Sequence, residues 1–213
     1  MRKLILKMQI SLDGFVGGPN GEVDWALKTI DADAQAWIIK TISNVGAHLM
    51  GSNTFHDMAA WWPTSTEPYA KAMNEIPKVV FSKDPNIAAS NEKPTTRALE
   101  DKERLRGPRG ASGVSGNEQS WADARVATGD LREEIAKLKA EPGKDILAHG
   151  GARFAQSLVR EGLIDEYQLM VHPVALGRGL ALFWGLHQPL DLQLVSTTNF
   201  PSGAVAHVYR VGE

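Results

Sequence analysis

Two short stretches place small residues where a fold commonly handles phosphate. Met50-Gly51-Ser52-Asn53-Thr54-Phe55 and His149-Gly150-Gly151-Ala152-Arg153-Phe154 each follow a short apolar run and open a helix-like one. Read as strand-to-helix junctions, both present unpaired backbone N–H groups and the partial positive charge of a helix start, which suit a phosphate. Glycine lets a ligand approach the backbone closely. In open α/β sheets ligands sit beyond the carboxyl ends of the strands. Two such junctions in one sheet can therefore hold the two ends of a dinucleotide. Taken singly, each is more often a tight turn, and neither has the six-residue glycine fingerprint of Rossmann domains or a P-loop.

The elements that must position these junctions are legible around them. A first strand spans about Lys3 to Ile10 and stops at Asp13-Gly14, followed by the turn-forming run Gly17-Gly18-Pro19-Asn20-Gly21. Asp31 or Asp33 is placed to cap a helix running to about Asn44, with Trp37, Ile38 and Ile42 on one apolar stripe. Gly46 to Met50 reads as a buried strand, with Ser52 or Asn53 capping the next helix. Lys78 to Phe81 and Asp145 to His149 read as further strands, and Ala152 to Arg160 as a helix ended by Gly162. Glu166 to Val174 is a strand broken by Pro173; Leu190–Thr197 and Ala204–Val211 read as an antiparallel pair around Pro201-Ser202-Gly203. This alternation predicts an α/β fold of three layers: a mixed, mostly parallel central sheet, helices on both faces and a C-terminal antiparallel hairpin. One domain over 1–213 is expected, interrupted by a flexible Gly-rich insertion at about 102–123 that is a surface loop or an active-site lid.

Composition narrows the function. The 213 residues are 43% hydrophobic and 23% charged, an ordinary globular balance. A net charge of −2 offers no basic excess for a nucleic-acid backbone. The absence of cysteine excludes disulfides, zinc–thiolate sites and a cysteine nucleophile. Lys7 and Gln9 interrupt the N-terminal apolar run, which reads as a strand and not a signal peptide, and no apolar stretch approaches the roughly 20 residues that span a bilayer. A cytoplasmic location is expected. The six histidines lack metal-ligand spacing, so no metal is expected. Gly110-Ala111-Ser112-Gly113-Val114 lacks the last glycine and the preceding strand of a nucleophile elbow. Gly177-Arg178-Gly179 reads as a structural turn, and Glu133 with Lys137 as helix-surface pairing.

Several segments together resemble one family. Ile10-Ser11-Leu12-Asp13-Gly14-Phe15-Val16-Gly17 is similar to the first strand and loop of the dihydrofolate-reductase-like superfamily, and Met50 to Phe55 resembles its Met-Gly-x-x-Thr segment. Val79-Val80-Phe81-Ser82-Lys83 resembles its third cofactor strand, and Ile146 to Gly151 its Gly-Gly element. Pro173 to Phe183 points more narrowly to the reductase domain of riboflavin biosynthesis and its stand-alone relatives.

The resemblance implies NADPH, with Val16 and Gly17 against the nicotinamide. Gly51, Ser52, Asn53 and Thr54 would meet the pyrophosphate and adenosine side, and Gly150, Gly151, Ala152 and Arg153 would cradle the pyrophosphate. Ser82 and Lys83 would take the adenosine 2′-phosphate; a hydroxyl beside an ammonium complements a dianion. It also implies hydride transfer to a small pyrimidine- or pterin-like heterocycle, with 5-amino-6-(5-phosphoribosylamino)uracil reductase as reference, and a homodimer. Dihydrofolate reductases carry a carboxylate on the helix after the first loop; here that position falls near Gln35, which leaves the proton donor unassigned. Asp33, Gln35, Trp25 and Trp61 are the candidate substrate-pocket residues; Trp37 is better read as core and Asp31 and Asp33 as helix caps. The zinc elements of a deaminase domain are absent. The alternatives are a non-catalytic NADPH-binding sensor or scaffold, and an α/β interaction domain that binds no dinucleotide.

Overall fold

A computed structural model describes residues 1–89, 96–106 and 117–212. Among them, β1 (Leu4–Ser11), β2 (Ala47–Gly51), β3 (Lys78–Phe81), β4 (Arg125–Ala127), β5 (Ile146–Ala148), β6 (Glu166–His172), β7 (Leu192–Asn199) and β8 (Val205–Val211) form one sheet. The helices are α1 (Asp24–Leu27), α2 (Ala32–Ser43), α3 (Ser52–Trp61), α4 (Ala70–Glu75), α5 (Arg97–Arg106), α6 (Asn117–Ala122), α7 (Leu131–Ala140) and α8 (Ala152–Arg160).

The strand order is β4-β3-β2-β5-β1-β6-β8-β7. Pairing is parallel from β4 through β6, and antiparallel from β6 to β8 and from β8 to β7. The alternation of side chains along β1 builds the layers. Leu4, Leu6, Met8 and Ile10 join a core with Ile135 and Leu138 of α7 and Leu158 of α8. Ile5 faces the opposite core, with Ile38 and Ile42 of α2 and Phe55 of α3. Burial on both faces is what a parallel strand requires, since its crossover helices cover the sheet on each side. Full burial of a leucine such as Leu4 or Leu6 stabilises the fold by about 1.5–3 kcal/mol.

Local chemistry explains the element ends. Asp31 caps α2: one carboxylate oxygen accepts from the Ala34 N–H at 2.8 Å, and the other accepts from the Ser202 N–H at 2.7 Å. One side chain thus ties the start of a helix to the turn of the C-terminal hairpin. Asp130 caps α7 in the same way. Gly162 follows α8 at φ +62°, the left-handed geometry expected of a terminating glycine.

Three local expectations differ. Gly51, not Ser52 or Asn53, is the N-cap of α3, because the Ser52 hydroxyl donates to the Phe81 carbonyl at 3.3 Å instead. Lys137 pairs with Glu134 at 2.9 Å, one helical turn away by three residues and not four. The ends of the 102–123 stretch are ordered elements: α5 reaches Arg106, and α6 buries Trp121, whose indole N–H donates to the Asn74 side chain at 2.8 Å. Residues 107–116, which hold the glycine run and the Gly110–Val114 near-elbow, lie outside the described residues. Among the described residues, no helix is long and apolar enough to cross a membrane.

Candidate cofactor and substrate site

The two glycine junctions meet. β2 and β5 are neighbours, so their carboxyl ends open side by side. The Gly51 N–H donates to the Gly150 carbonyl at 3.3 Å, and the Gly150–Gly151 peptide is cis. A Cβ added to Gly151 would lie 2.9 Å from Thr54 Oγ1, and one added to Gly51 would lie 3.0 Å from Phe154 Cβ. The starts of α3 and α8 therefore approach each other to within a single side-chain atom.

Between them runs a cleft of about 610 Å³, lined by Gly51, Ser52, Asn53 and Thr54 on one wall and Gly151, Ala152 and Arg153 on the other. Helices of ten and nine residues start at these walls, and neither start has a side-chain cap. Their first N–H groups are left for a ligand. The exposed Arg153 has no carboxylate within 4.0 Å among the described residues, so its guanidinium adds positive charge beside the α8 start. Gly150 is buried and does not line this cleft; its φ is +93°, and a Cβ there would meet Met8 Sδ at 2.8 Å. It shapes the junction but does not touch the cleft. Ser82 and Lys83 directly follow Phe81, which lines the cleft, but neither lines it; Lys83 is exposed.

The cleft continues into a second cavity of about 340 Å³ under the first loop. Val16 and Gly17 form part of its rim. They are held by reciprocal contacts with the turn after β6: the Val16 N–H donates to Leu180 and the Leu180 N–H to Gly17, at 2.8 and 2.9 Å. That turn cannot carry a side chain at Gly179, where a Cβ would come within 2.3 Å of the Gly17 carbonyl. Asp13 locks it from below. Its carboxylate accepts from the Ser11 hydroxyl and the Leu176 and Gly177 N–H groups, which push its carboxyl down to about 2. Gly177-Arg178-Gly179 is thus a structural turn, and Leu180 beyond it reaches both cavities.

The walls of the second cavity are aromatic. Trp25, Trp61 and Trp62 line it, whereas Trp37 packs edge-on to Phe200 in the core. Trp25 stands edge-on to His172, whose ring is fixed between the Thr29 hydroxyl at 2.5 Å and the Gln9 side chain at 2.7 Å. Burial, then the Lys7 charge, pushes His172 down to about 4, so it serves as a neutral prop. Trp61 donates its indole N–H to Glu67 at 2.8 Å, and Lys102 pairs with Glu67 at 3.3 Å while lying over the Trp61 and Trp62 rings. Asp33 and Gln35 do not line this cavity, which corrects their assignment to the pocket. α2 turns its Ala34, Ile38 and Ile42 face to the core and leaves Asp33 exposed.

Three polar groups in the cavity were not singled out from the sequence as site residues. Lys7 sits on the face of β1 opposite Leu6 and Met8, and burial lowers its ammonium to about 8. His149 directly follows β5; burial first, then the charges of His48 and Lys7, keeps it neutral, and its Nε2 has no hydrogen-bond partner. Asp57 lies on α3, one turn beyond Thr54. Its Oδ2 accepts from the Thr96 hydroxyl at 2.5 Å, and its Oδ1 is buried without a partner. Burial, partly offset by the Thr96 hydroxyl and amide, pushes the Asp57 carboxyl up to about 6. Its signal in the sequence was a lone carboxylate on a helix face, since Thr54, Asp57, Met58 and Trp61 recur at helical spacing.

Comparison with known proteins agrees with this fold. Residues 2–206 match the model of the RibD C-terminal domain. The protein YyaP of Bacillus subtilis (strain 168) is 30% identical over 208 residues, covering 98% of this chain and 94% of that protein. RibD of Acinetobacter baumannii superposes with a TM-score of 0.65 at 19% identity, over 100% of this chain and 59% of that one. Dihydrofolate reductase from Enterococcus faecalis, complexed with NADP(H), superposes with a TM-score of 0.57 at 12% identity, over 99% and 97% of the two chains.

Proposed function

Because the chain belongs to the RibD C-terminal domain family, we propose that it is an NADPH-dependent reductase that delivers hydride to a small flat heterocycle of the pyrimidine or pterin kind. The observation that carries this reading is the continuity of two cavities. One has phosphate-binding character, between the uncapped starts of α3 and α8; the other is apolar and walled by tryptophans. The names of the structural neighbours, a RibD protein and a dihydrofolate reductase with NADP(H), support it.

The residues present fit the dinucleotide. Gly151 leaves open the space a Cβ would fill against Thr54, and N–H groups with Arg153 complement a pyrophosphate. Val16 and Gly17 fit the nicotinamide end, since they border the tryptophan-lined cavity. When bound, the dihydronicotinamide supplies the hydride. The chain does the rest. Trp25 and Trp61 hold a flat ring by stacking and exclude water. Lys7 presents a cation to a carbonyl or other electron-rich edge, strengthened by the low local dielectric. We assign the adenosine 2′-phosphate to Ser82 and Lys83 at the end of β3, beside Phe81 on the cleft wall. Two copies pairing through the sheet fit the free edge of β7, where Leu194 and Val195 are exposed.

The test is a titration with NADPH and with NADH, followed by tryptophan quenching and then by NADPH oxidation with pterin and pyrimidine acceptors. Tight NADPH binding with turnover of one acceptor is expected. Absence of binding removes the reading, and binding without turnover across both classes turns the domain into a sensor.

A further inference from the structure

A reductase that delivers hydride to a C=N or C=O bond must also place a proton on the heteroatom. That proton has to arrive where the two cavities join, because the carbon that accepts hydride lies between cofactor and substrate. Asp57 is, among the described residues, the one titratable side chain that lines both cavities. Lys7 and His149 line only the substrate side. Arg97 and Arg153 line only the cleft.

The setting of Asp57 suits proton storage. Thr96, at the edge of α5, fixes one carboxylate oxygen through its hydroxyl. The other oxygen is buried without a partner. An unpaired buried oxygen is a costly place for negative charge and a favourable one for an O–H. The charged groups lining the same cavities are Lys7 from β1, Lys102 and Arg97 from α5 and Arg153 from α8, with the neutral, titratable His149 after β5. Burial, not any of these charges, is the largest influence on its titration.

We propose that Asp57 is the proton donor of this site, its carboxyl proton passing to the heteroatom of the bond being reduced. The inference rests on the dinucleotide reading above. The balance is simple. The reductant is the reduced nicotinamide dinucleotide, which loses a hydride and becomes the pyridinium form. The substrate carbon gains that hydride, and its nitrogen or oxygen gains the Asp57 proton. The carboxylate left behind is reprotonated from water entering the cleft. The helix that offers its N-terminus to the cofactor thus carries the acid one turn later, on the same face as Thr54.

The experiment has two arms on the full chain. In the first, protein labelled with [13C]carboxyl aspartate is titrated by NMR, with the Asp57 resonance assigned by its loss in Asp57→Asn. A midpoint near 6 is expected, moving when NADP⁺ fills the cleft beside it. A midpoint in the ordinary carboxylate range with no response to NADP⁺ overturns the proposal. In the second, NADPH oxidation is followed with 5-amino-6-(ribosylamino)uracil or 7,8-dihydropterin as acceptor. Asp57→Asn should lower kcat by about 100-fold or more, the usual contribution of a general acid. The Kd for NADPH should stay within twofold, and the rise in rate toward acid pH should disappear. Unchanged kcat in Asp57→Asn overturns the proposal. Should the wild type bind NADPH yet reduce neither acceptor, the titration decides alone. Failure of the wild type to bind NADPH sinks the dinucleotide reading itself, and is seen before any variant is made.

Discussion

Gly151→Ala separates the two things a glycine can do here, because the structure expects it to spare folding and damage binding. Gly151 is the N-cap of α8 at φ −66°, a conformation alanine adopts without strain. Exchanging Gly for Ala at such a position stabilises a protein by about 0.4–1 kcal/mol through the unfolded chain. Against this stands the contact of the new Cβ with Thr54 Oγ1 at 2.9 Å. That atom ends a short side chain and can turn away, so the two effects nearly cancel and the net change should stay within about 1 kcal/mol. The methyl, however, projects into the cleft between the two helix starts and holds a phosphate off the N–H groups there. Losing one hydrogen bond to a charged group costs about 1.5–3 kcal/mol. At about 1.4 kcal/mol per tenfold, NADPH should bind on the order of 10- to 100-fold more weakly. Gly150→Ala is the contrast. Its φ of +93° and the Met8 Sδ contact at 2.8 Å put the damage into folding, by about 1–3 kcal/mol. Calorimetric titration with NADPH and thermal unfolding of both variants give the answer. Equal NADPH affinity in Gly151→Ala and wild type would refute the reasoning, as would loss of stability in Gly151→Ala matching that in Gly150→Ala.

Four further outcomes are expected. Lys83→Ala should weaken NADPH by about 1.5–3 kcal/mol and leave NADH nearly unchanged; equal losses for both would remove the 2′-phosphate assignment. Trp121→Ala should cost about 3–5 kcal/mol in urea unfolding, since the indole is 3% exposed and its N–H partner Asn74 is itself buried; a change below 1 kcal/mol would mean that α6 does not pack as described. The folded Asp57 titrates near 6 against an ordinary 3.8, so the folded state holds the extra proton between those values and wild-type stability declines through that window as pH rises. The stability of Asp57→Asn relative to wild type should therefore climb from about pH 4 to about pH 6 and be flat outside it; a flat difference throughout would contradict the burial of that carboxyl. Sedimentation should show a dimer, and a charge at exposed Val195 on β7 should yield monomer; a monomeric wild type removes the pairing.

Much of this was legible in the chain because local chemistry and tertiary structure agree. The helix Ala152–Arg160 and the strand Lys78–Phe81 have the bounds their patterns announce, and Gly51 and Gly151 sit at the junctions where small residues and amphipathic runs meet. What hid was decided by long-range packing. β4 is only Arg125–Ala127, too short to show a period, and exists because β3 offers it an edge. Trp121 lay in a polar stretch whose average concealed one buried ring. The resemblance points for an acid to the helix after the first loop, where α2 instead presents Ala34, Ile38 and Ile42 to the core. It stands on the next helix, and only the meeting of two cavities marks Asp57 out from other carboxylates.

The most direct test follows backbone amides by NMR as NADPH is added. Ser52, Asn53 and Thr54 of α3 and Ala152 and Arg153 of α8 should shift together, with one shared Kd, because both helix starts hold one molecule. Shifts confined to one helix start, or none at either, would contradict a dinucleotide bridging the cleft.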